Sequence, residues 1–570
     1  MTATIELTPI VRSFLPTGLS VTAESIEPYY RQLMDDPIDS WEDMHGWLRR
    51  WNELRRIVDQ ERATRQVAAS CDTQSKEVSE RYLDYARNIA PKVSEWDFKL
   101  AKRYYDSPFR DRVRQEGMAQ LDRTFAVQVE LFREENVPLE TRVRELVHEY
   151  DETVGAATVQ FDGREQTLPE MAKYYVETDR DLRKRAFLAV TDSRAALVDL
   201  LDDLFDRLFT VRGEIASNLG LSDYREVAFR SKLRDYTPDD CLRFHDAIEQ
   251  SAVPLLRKLH AKRRAKLGLS ALAPYDLNVD PAGRSPLRPF DSIPTLVSKT
   301  SELFHEIDPR FGVRFDAFAH SMDIESRRGK APGAYQATFR EDRRPFIFAN
   351  FVGLQRDLST MVHEAGHAIH AVQAREQELI WLDHAAMEFC EVSSMSQELM
   401  MLPGLPRFYS DPDDRKRAGI EQWESTVWIF CWVAVIDGFQ HWLYTHPNHT
   451  RDERNSKFVE LYERFMPSLD WSDVPAGTLE RNWQRQLHLF HVPFYYVEYA
   501  IAQLGALQVY ANYKRDPRAA VTMLLEAQSL GGSATAPRLF EVAGCRFDLG
   551  PDLLSEMMNM VEREIEALES

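Results

Sequence analysis

The segment MVHEAGHAIH, residues 361–370, carries two histidines four positions apart, with a glutamate between them. On a helix, His363 and His367 share one face a turn apart, so both imidazoles can bind one ion at about 2.0 to 2.1 Å. Glu364 lies one position further round and can reach a water on that ion. Zinc lowers the pKa of such a water to about 7, and a neighbouring carboxylate can then take its proton. The spacing therefore predicts a catalytic zinc site with Glu364 as the general base.

The same residues would also suit an amphipathic helix whose histidines face solvent or the protein core. Gly366 favours the metal interpretation, because a glycine inside a helix costs roughly 0.5 to 1 kcal/mol relative to alanine and so needs a reason. His370, three residues after His367, shares the face. It can orient a second group or simply pack, and it is given no role.

A catalytic zinc needs a third protein ligand, which has to come from elsewhere in the chain. Two carboxylates compete in AAMEFCEVSSMSQELM, residues 385–400, namely Glu388 and Glu391. Glu391 shares its helical face with Glu398, which can hydrogen-bond a ligand from behind. Spacing favours Glu391 only slightly, so both residues stay candidates at this point.

A second group of polar aromatic residues follows in HLFHVPFYYVEY, which begins at residue 488. Peptide hydrolysis develops negative charge on the former carbonyl oxygen, and tyrosine or histidine donors can stabilise it. Packing of an aromatic core is the ordinary alternative for such a stripe. The residues under consideration are His488, His491, Tyr495, Tyr496 and Tyr499.

The composition excludes several classes of protein. The 570 residues carry a formal net charge of −20, and no long basic segment is available to neutralise nucleic-acid phosphates. Five widely spaced cysteines without a C-x-x-C pair suit a reducing compartment and exclude a cysteine-based zinc site. Residues 1–18 have no basic region ahead of an apolar run, so we expect no secretory signal and a cytoplasmic location.

Most of the chain has the periodicity of long helices, for example over residues 141–154 and 196–220. The clearest strand signals are GAYQATF (333–339) and PFIFANF (345–351), which REDRR joins as a hairpin-like turn. The apolar run VWIFCWVAVI (427–436) is too short to span a bilayer and predicts a buried helix.

Proline and glycine cluster at 269–294 and 402–413 and mark connections between elements. We expect an N-terminal helical lobe to meet a catalytic lobe near the first cluster, with the two lobes interdigitated. Helices continue on both sides of this cluster, so the patterns do not locate the boundary.

Three segments together resemble the thimet oligopeptidase and oligoendopeptidase F zinc metallopeptidases, most closely the oligoendopeptidase F branch. The pattern H-E-x-G-H-x-x-H is present in full from His363 to His370, and EVSSMSQE is similar to the family's third-ligand segment. The stretch from residue 329 to the zinc helix and the tyrosine-rich segment also resemble the family. The similarity covers roughly 195 to 550 and is weaker in the N-terminal third.

The resemblance implies a mainly α, two-lobed fold with a deep substrate channel and a small β-sheet beside the zinc helix. It divides the chain into an N-terminal helical region, 1–195, and a peptidase catalytic domain, 196–570. It selects Glu391 over Glu388 as the third ligand of one Zn2+ per chain, with His363 and His367.

The resemblance also favours His491 and Tyr499 as catalytic residues beside Glu364, followed by Tyr496. We expect PFIFANF to pair with an extended substrate by strand addition. The predicted substrate-binding residues of the two strands are Gly333, Tyr335, Phe348 and Ala349. Ala334 stands where many relatives have a second glycine, which affects how closely a substrate backbone can approach.

The predicted function is zinc-dependent hydrolysis of internal bonds in short, unstructured peptides. One alternative is a metallocarboxypeptidase, in which Arg340, Arg343 or Arg344 would bind the substrate's terminal carboxylate. Another is a peptide-binding protein without catalysis, which is disfavoured because Glu364 is retained together with all three ligands. A purely structural helical scaffold would bind no stoichiometric metal.

Overall fold

The computed structural model describes residues 13–570, so most of the segment used to exclude a secretory signal lies outside it. The described chain is mainly helical, as predicted, and it contains two small sheets where one was predicted. Its first part contains seven helices: α1 (Ala23–Asp35), α2 (Trp41–Cys71), α3 (Lys76–Asp84), α4 (Ala90–Tyr105), α5 (Arg110–Gln115), α6 (Ala119–Leu131) and α7 (Asn136–Gly155). Helices α1, α2, α4 and α6 enclose a separate hydrophobic core around Trp47 and Trp51.

The middle of the chain begins with a hairpin of β1 (Thr158–Phe161) and β2 (Arg164–Thr167), which the sequence patterns did not predict. The following helices are α8 (Leu168–Met171), α9 (Arg180–Ala195), α10 (Val198–Asn218), α11 (Tyr224–Ser231), α12 (Pro238–Lys266), α13 (Ile293–Ile307) and α14 (Pro309–Asp316). The long connection between α12 and α13 contains the first predicted Pro- and Gly-rich cluster.

A three-stranded sheet stands directly before the helix that carries the HExxH residues. It consists of β3 (Met322–Glu325), β4 (Tyr335–Phe339) and β5 (Arg344–Phe351), in the order β3-β5-β4. Strands β4 and β5 form the predicted antiparallel hairpin, with Tyr335 opposite Phe348. The prediction that PFIFANF pairs with a substrate strand is wrong, because β5 is the middle strand and β3 and β4 occupy both of its edges.

The remaining helices build the larger core: α15 (Gln355–Ala374), α16 (Met387–Met400), α17 (Pro412–Thr445), α18 (Arg451–Phe465), α19 (Leu487–His491), α20 (Val497–Arg515), α21 (Pro517–Ser529), α22 (Ala536–Val542) and α23 (Pro551–Glu569). VWIFCWVAVI lies inside the 34-residue helix α17, and most of its side chains are buried, as predicted. Within residues 13–570, no helix combines the length and the apolar character needed to cross a bilayer.

The predicted lobes pack against each other across residue 195, which is the last residue of α9. Leu146 and Tyr150 of α7 belong to the larger core, although they lie in the predicted N-terminal region. The two-lobed, mainly helical class is confirmed, and the boundary at 195 stays a prediction.

Candidate active site

Three side chains from two packed helices converge on one point. His363 and His367 of α15 and Glu391 of α16 present His363 Nε2, His367 Nε2 and Glu391 Oε2, and each pair of these atoms is 3.2 Å apart. Donor atoms at 2.0 to 2.2 Å from a tetrahedral zinc are themselves about 3.3 Å apart. The three residues therefore fit a zinc ion and leave its fourth position open for water.

Gly366 lets the two helices approach closely enough to form this arrangement. A Cβ atom on Gly366 would lie 2.6 Å from Ser394 Cα and 3.4 Å from the Ser393 carbonyl oxygen. Backbone atoms cannot move aside as a flexible side chain can. The glycine that weakens α15 as an isolated helix is thus required for its packing on α16.

Glu388, the other candidate ligand, points elsewhere. Its Oε1 accepts a hydrogen bond of 2.7 Å from the Tyr236 hydroxyl, and Arg234 Nε lies 3.9 Å away. The structure brings Glu391, and not Glu388, to the two histidines.

Glu398 fixes the orientation of His363 from behind. Glu398 Oε1 lies 2.7 Å from His363 Nδ1, and Glu398 Oε2 accepts a hydrogen bond of 2.9 Å from Gln422. A proton on Nδ1 of His363 leaves the lone pair of Nε2 directed at the metal position.

Glu364 is buried beside these ligands, and its Oε2 has no hydrogen-bond partner among the residues that the structure describes. Burial raises the pKa of this carboxyl, whereas the neighbouring His363 and His367 lower it. Glu364 lines the same cavity as the three candidate ligands. An unpaired carboxylate oxygen in this position can accept a proton from a water in the cavity.

Tyr499 lines the cavity and forms a second polar unit with His488. Trp432 Nε1, which can only donate, lies 3.0 Å from Gln486 Oε1, so the amide nitrogen of Gln486 faces His488 Nδ1 at 2.7 Å. Burial lowers the pKa of His488 to about 3, which keeps the ring neutral with its proton on Nε2. Nε2 then donates to the Tyr499 hydroxyl 3.3 Å away, and the hydroxyl hydrogen of Tyr499 is left to donate elsewhere.

Comparison with known proteins identifies the family. The family model described as Peptidase family M3 matches residues 174–559, and the Peptidase M3 N-terminal domain matches residues 20–132. The chain belongs to peptidase family M3.

Individual relatives of this M3 chain are distant in sequence. An oligoendopeptidase F homolog of Lactococcus lactis subsp. lactis is 24% identical over 341 residues, which are 56% of this chain and 54% of the relative. The group B oligopeptidase PepB of Streptococcus agalactiae is 24% identical over 286 residues, covering 46% of this chain and 42% of the relative. The chain thus spans about half the length of the curated relatives it matches.

The similarity in fold covers a larger share of the chain than the sequence matches do. A solved structure of PZ peptidase A superposes with a TM-score of 0.92 at 25% identity, covering 96% of this chain and 98% of that one. The mainly helical architecture is therefore common to nearly the whole of both chains.

Two predicted catalytic residues of the M3 chain lie apart from the candidate metal ligands. His491 Nε2 is 3.0 Å from Asp151 Oδ1, and the His491 ring stands edge-on to Tyr150. The Tyr496 ring packs against His488 and Tyr499, and its hydroxyl interacts with Trp432 and Gln486. The positive φ of Phe494 (61°) interrupts the chain between α19 and α20, which separates His491 from the tyrosines that line the cavity.

The four predicted substrate-binding residues occupy different environments. Phe348 and Ala349, in the middle strand, are both 0% exposed, so their side chains cannot touch a substrate. Tyr335 stacks on Phe348 with ring centroids 4.9 Å apart and lines the cavity. The Gly333 carbonyl accepts a hydrogen bond of 2.9 Å from Asn350, which holds the start of β4 in place.

Sequence patterns did not single out the ion pairs and the histidine that line the cavity with the candidate metal ligands. Arg340 pairs with Asp383, and Arg56 Nη1 lies 3.4 Å from the same carboxylate. His384 also lines the cavity, and burial lowers its pKa to about 4. These side chains come from α2, the β4–β5 turn and the α15–α16 connection, which no local spacing could have related.

His370 stays without an assigned role. It is buried against Phe389, and neither ring nitrogen has a hydrogen-bond partner that satisfies the usual geometry. Burial lowers its pKa to about 3, so the ring is neutral at ordinary pH.

Proposed function

We propose that this chain is a zinc-dependent endopeptidase that hydrolyses internal bonds of short, unstructured oligopeptides. The observation that carries the proposal is the triangle of His363, His367 and Glu391 donor atoms, 3.2 Å on each side, with the unpaired carboxylate of Glu364 beside it. The family model across residues 174–559 supports the same activity. We expect one zinc ion per chain.

When bound, zinc would polarise the substrate carbonyl and lower the pKa of the attacking water to about 7. Glu364 accepts the proton of that water at its unpaired Oε2 and afterwards donates it to the leaving amine. Glu398 keeps the His363 ring in position during both steps through its contact with Nδ1.

Tyr499 is our candidate donor to the developing oxyanion. Its hydroxyl oxygen accepts from His488, so its hydrogen points to another acceptor, and the side chain lines the cavity with Glu364. A donor at this position adds stabilisation only when negative charge develops on the carbonyl oxygen. We therefore prefer Tyr499 with His488 to Tyr496 and His491 for this role.

Substrate backbone pairs with β4 in this proposal. Strand β4 is at the edge of the sheet, and Tyr335, Gln336 and Thr338 line the cavity. An extended peptide added to such an edge is held by main-chain hydrogen bonds, which require no particular side chains. This suits broad cleavage of unstructured peptides.

The carboxypeptidase alternative is weakened by the pairing of its candidate arginines. Arg340 contacts Asp383, and Arg344 contacts Ser321 with Asp342 at 3.9 Å. Mass spectrometry of the products decides between the alternatives, because an endopeptidase releases internal fragments whereas a carboxypeptidase removes one terminal residue at a time.

We also propose a cytoplasmic location, with peptides and not nucleic acids as partners. All five cysteines are free thiols, as expected in a reducing compartment.

The decisive experiment measures bound zinc and cleavage of a quenched fluorescent peptide for the wild type and for Glu364→Gln. We expect one zinc in both proteins and activity only in the wild type. Retained activity in the variant would exclude the mechanism. A wild type without zinc or activity would favour a structural scaffold, and a zinc-bound, inactive wild type that still binds peptides would favour a peptide-binding protein.

A further inference from the structure

A second cavity, of about 790 Å³, adjoins the candidate active site and shares Ala334 with it. Its wall is basic, in contrast to the net charge of −20 of the whole chain. Of residues 13–570, only two carboxylates, Asp192 and Asp357, belong to this wall. Its six cationic residues are Arg194, Arg327, Lys330, Arg356, Arg481 and Arg485.

Among residues 13–570, four of the five arginines in this wall lack a strong carboxylate partner. Arg327 and Lys330 both pair with Asp323, but within residues 13–570 no carboxylate forms an ion pair with Arg194, Arg481 or Arg485. For Arg356 the nearest carboxylate oxygen is Asp357 Oδ1 at 3.8 Å. The other oxygen of Asp357 already accepts from two backbone N–H groups.

Arg194, Arg356 and Arg485 line the same cavity as Tyr175. Burial raises the pKa of the Tyr175 hydroxyl to about 12, and the charges of Arg194, Arg485 and Arg356 each act to lower it. Arg485 also lies over the Trp432 ring, 5.1 Å from its centroid. Guanidinium groups stay protonated in proteins, so among the described residues Arg194 and Arg485 carry charges without an ion-pair partner, and Arg356 has only the 3.8 Å contact with Asp357.

The distance between Arg356 and the metal position can be estimated from the geometry of helix α15. Arg356 precedes His363 by seven residues, which is two turns on the same face and about 10.5 Å along the helix axis. An extended peptide covers this length in about three residues. Arg356, which lines the cavity together with Arg194 and Arg485, therefore lies within reach of a substrate whose scissile bond is at His363.

We infer that this basic cavity is a carboxylate-binding subsite, in which Arg194, Arg356 and Arg485 hold a substrate carboxylate about three residues from the cleaved bond. The inference rests on the proposed peptidase function and adds a substrate class, peptides with negative charge at that distance. Guanidinium groups bind carboxylates through paired N–H donors. The carboxylate belongs either to the peptide C-terminus or to an Asp or Glu side chain.

The test compares quenched peptides of one length in four forms. One pair carries glutamate or glutamine three residues from the scissile bond, on either side of it, and the other pair has a free or an amidated C-terminus at that distance. We expect kcat/KM to be about tenfold or more higher for the carboxylate member of at least one pair, since charge-assisted hydrogen bonds are worth about 1.5 to 3 kcal/mol. The responding pair identifies the source of the carboxylate.

Arg194→Gln and Arg485→Gln should each reduce this preference, and Arg194→Glu should reverse it. Arg185→Gln is the matched control, because Arg185 lies on the same helix α9 but outside the cavity wall. The control should keep the wild-type ratio. Circular dichroism and zinc content establish that each variant is folded.

Equal kcat/KM within both pairs, with active wild-type enzyme, would overturn the subsite and leave the peptidase proposal intact. Absence of any cleavage would instead count against the peptidase proposal. In that case, calorimetric titration of Glu364→Gln with the same peptides still tests the subsite. The subsite is supported if Glu364→Gln binds the carboxylate forms more tightly and the double variant Glu364→Gln/Arg194→Gln does not. Equal affinities for the two forms in Glu364→Gln overturn the subsite.

Discussion

Tyr495 donates its hydroxyl hydrogen to Glu391 Oε1, the carboxylate oxygen that does not face His363 and His367. This contact ties the segment before α20 to α16 and sets the direction of Glu391 Oε2. Among the tyrosines of this segment, Tyr495 therefore acts on the candidate metal ligand and Tyr499 on the cavity.

Tyr495→Phe should weaken zinc binding about 10- to 100-fold, as is usual when a partner behind a metal ligand is lost. Competition with a chromogenic chelator measures the affinity, and activity should return when zinc is in excess. Tyr513→Phe, further along α20, is the control and should bind zinc as the wild type does. Unchanged affinity in Tyr495→Phe would show that Glu391 is oriented without this contact.

Glu391→Ala should lose stoichiometric zinc, whereas Glu388→Ala should retain it and lose stability. The second effect arises because Tyr236 and Arg234 lose a buried carboxylate partner. Elemental analysis after gel filtration gives the zinc content, and urea unfolding gives the stability. The opposite pattern of zinc content would exchange the assignments of the two glutamates.

Tyr499→Phe should lower kcat about 10²- to 10³-fold with little change in zinc content, because a transition-state donor is removed. His488→Gln should act through the same hydroxyl, so the double variant should be no slower than Tyr499→Phe alone. His491→Gln should keep kcat near the wild-type value, since His491 faces Asp151. A large loss in His491→Gln alone would return the catalytic role to His491.

Gly366→Ala should lower the free energy of unfolding by about 1 to 3 kcal/mol, because the new Cβ meets the α16 backbone. Zinc affinity should fall as well, since α15 and α16 separate. Gly213→Ala is the matched control inside helix α10, where a Cβ meets no atom within 4 Å. It should be neutral or stabilise by up to about 1 kcal/mol. Equal effects of the two substitutions would contradict the packing argument.

Stability should fall at acid pH in part because of His260, a buried residue of α12 remote from the candidate site. Burial lowers its pKa from 6.5 to about 4, so below pH 6.5 the unfolded chain binds a proton that the folded chain does not. This contribution costs stability progressively as the pH falls from 6.5 to 4 and is constant above and below that window. His260→Leu should reduce the loss of unfolding free energy over this range by about 3 kcal/mol at most. If the stability of His260→Leu depends on pH as that of the wild type does, a group other than His260 is responsible for the loss.

Local spacing was enough to determine much of this protein. Helical periodicity placed His363, Glu364 and His367 on adjoining positions of one helix, and the turn residues after Phe339 defined the β4–β5 hairpin. These relationships depend on backbone geometry over a few residues, so they can be read from one segment at a time.

Only the tertiary structure decided which distant groups meet. Glu388 and Glu391 are one turn apart on the same helix, and the packing of α16 on α15 through Gly366 determined which one faces the histidines. The order of strands placed PFIFANF in the middle of its sheet, and the break at Phe494 turned His488 toward Tyr499 and left His491 beside Asp151. Arg194, Arg356 and Arg485, which line the second cavity with Tyr175, come from three separate elements. Their proximity results from packing across the whole fold, which the period of a single helix or strand does not encode.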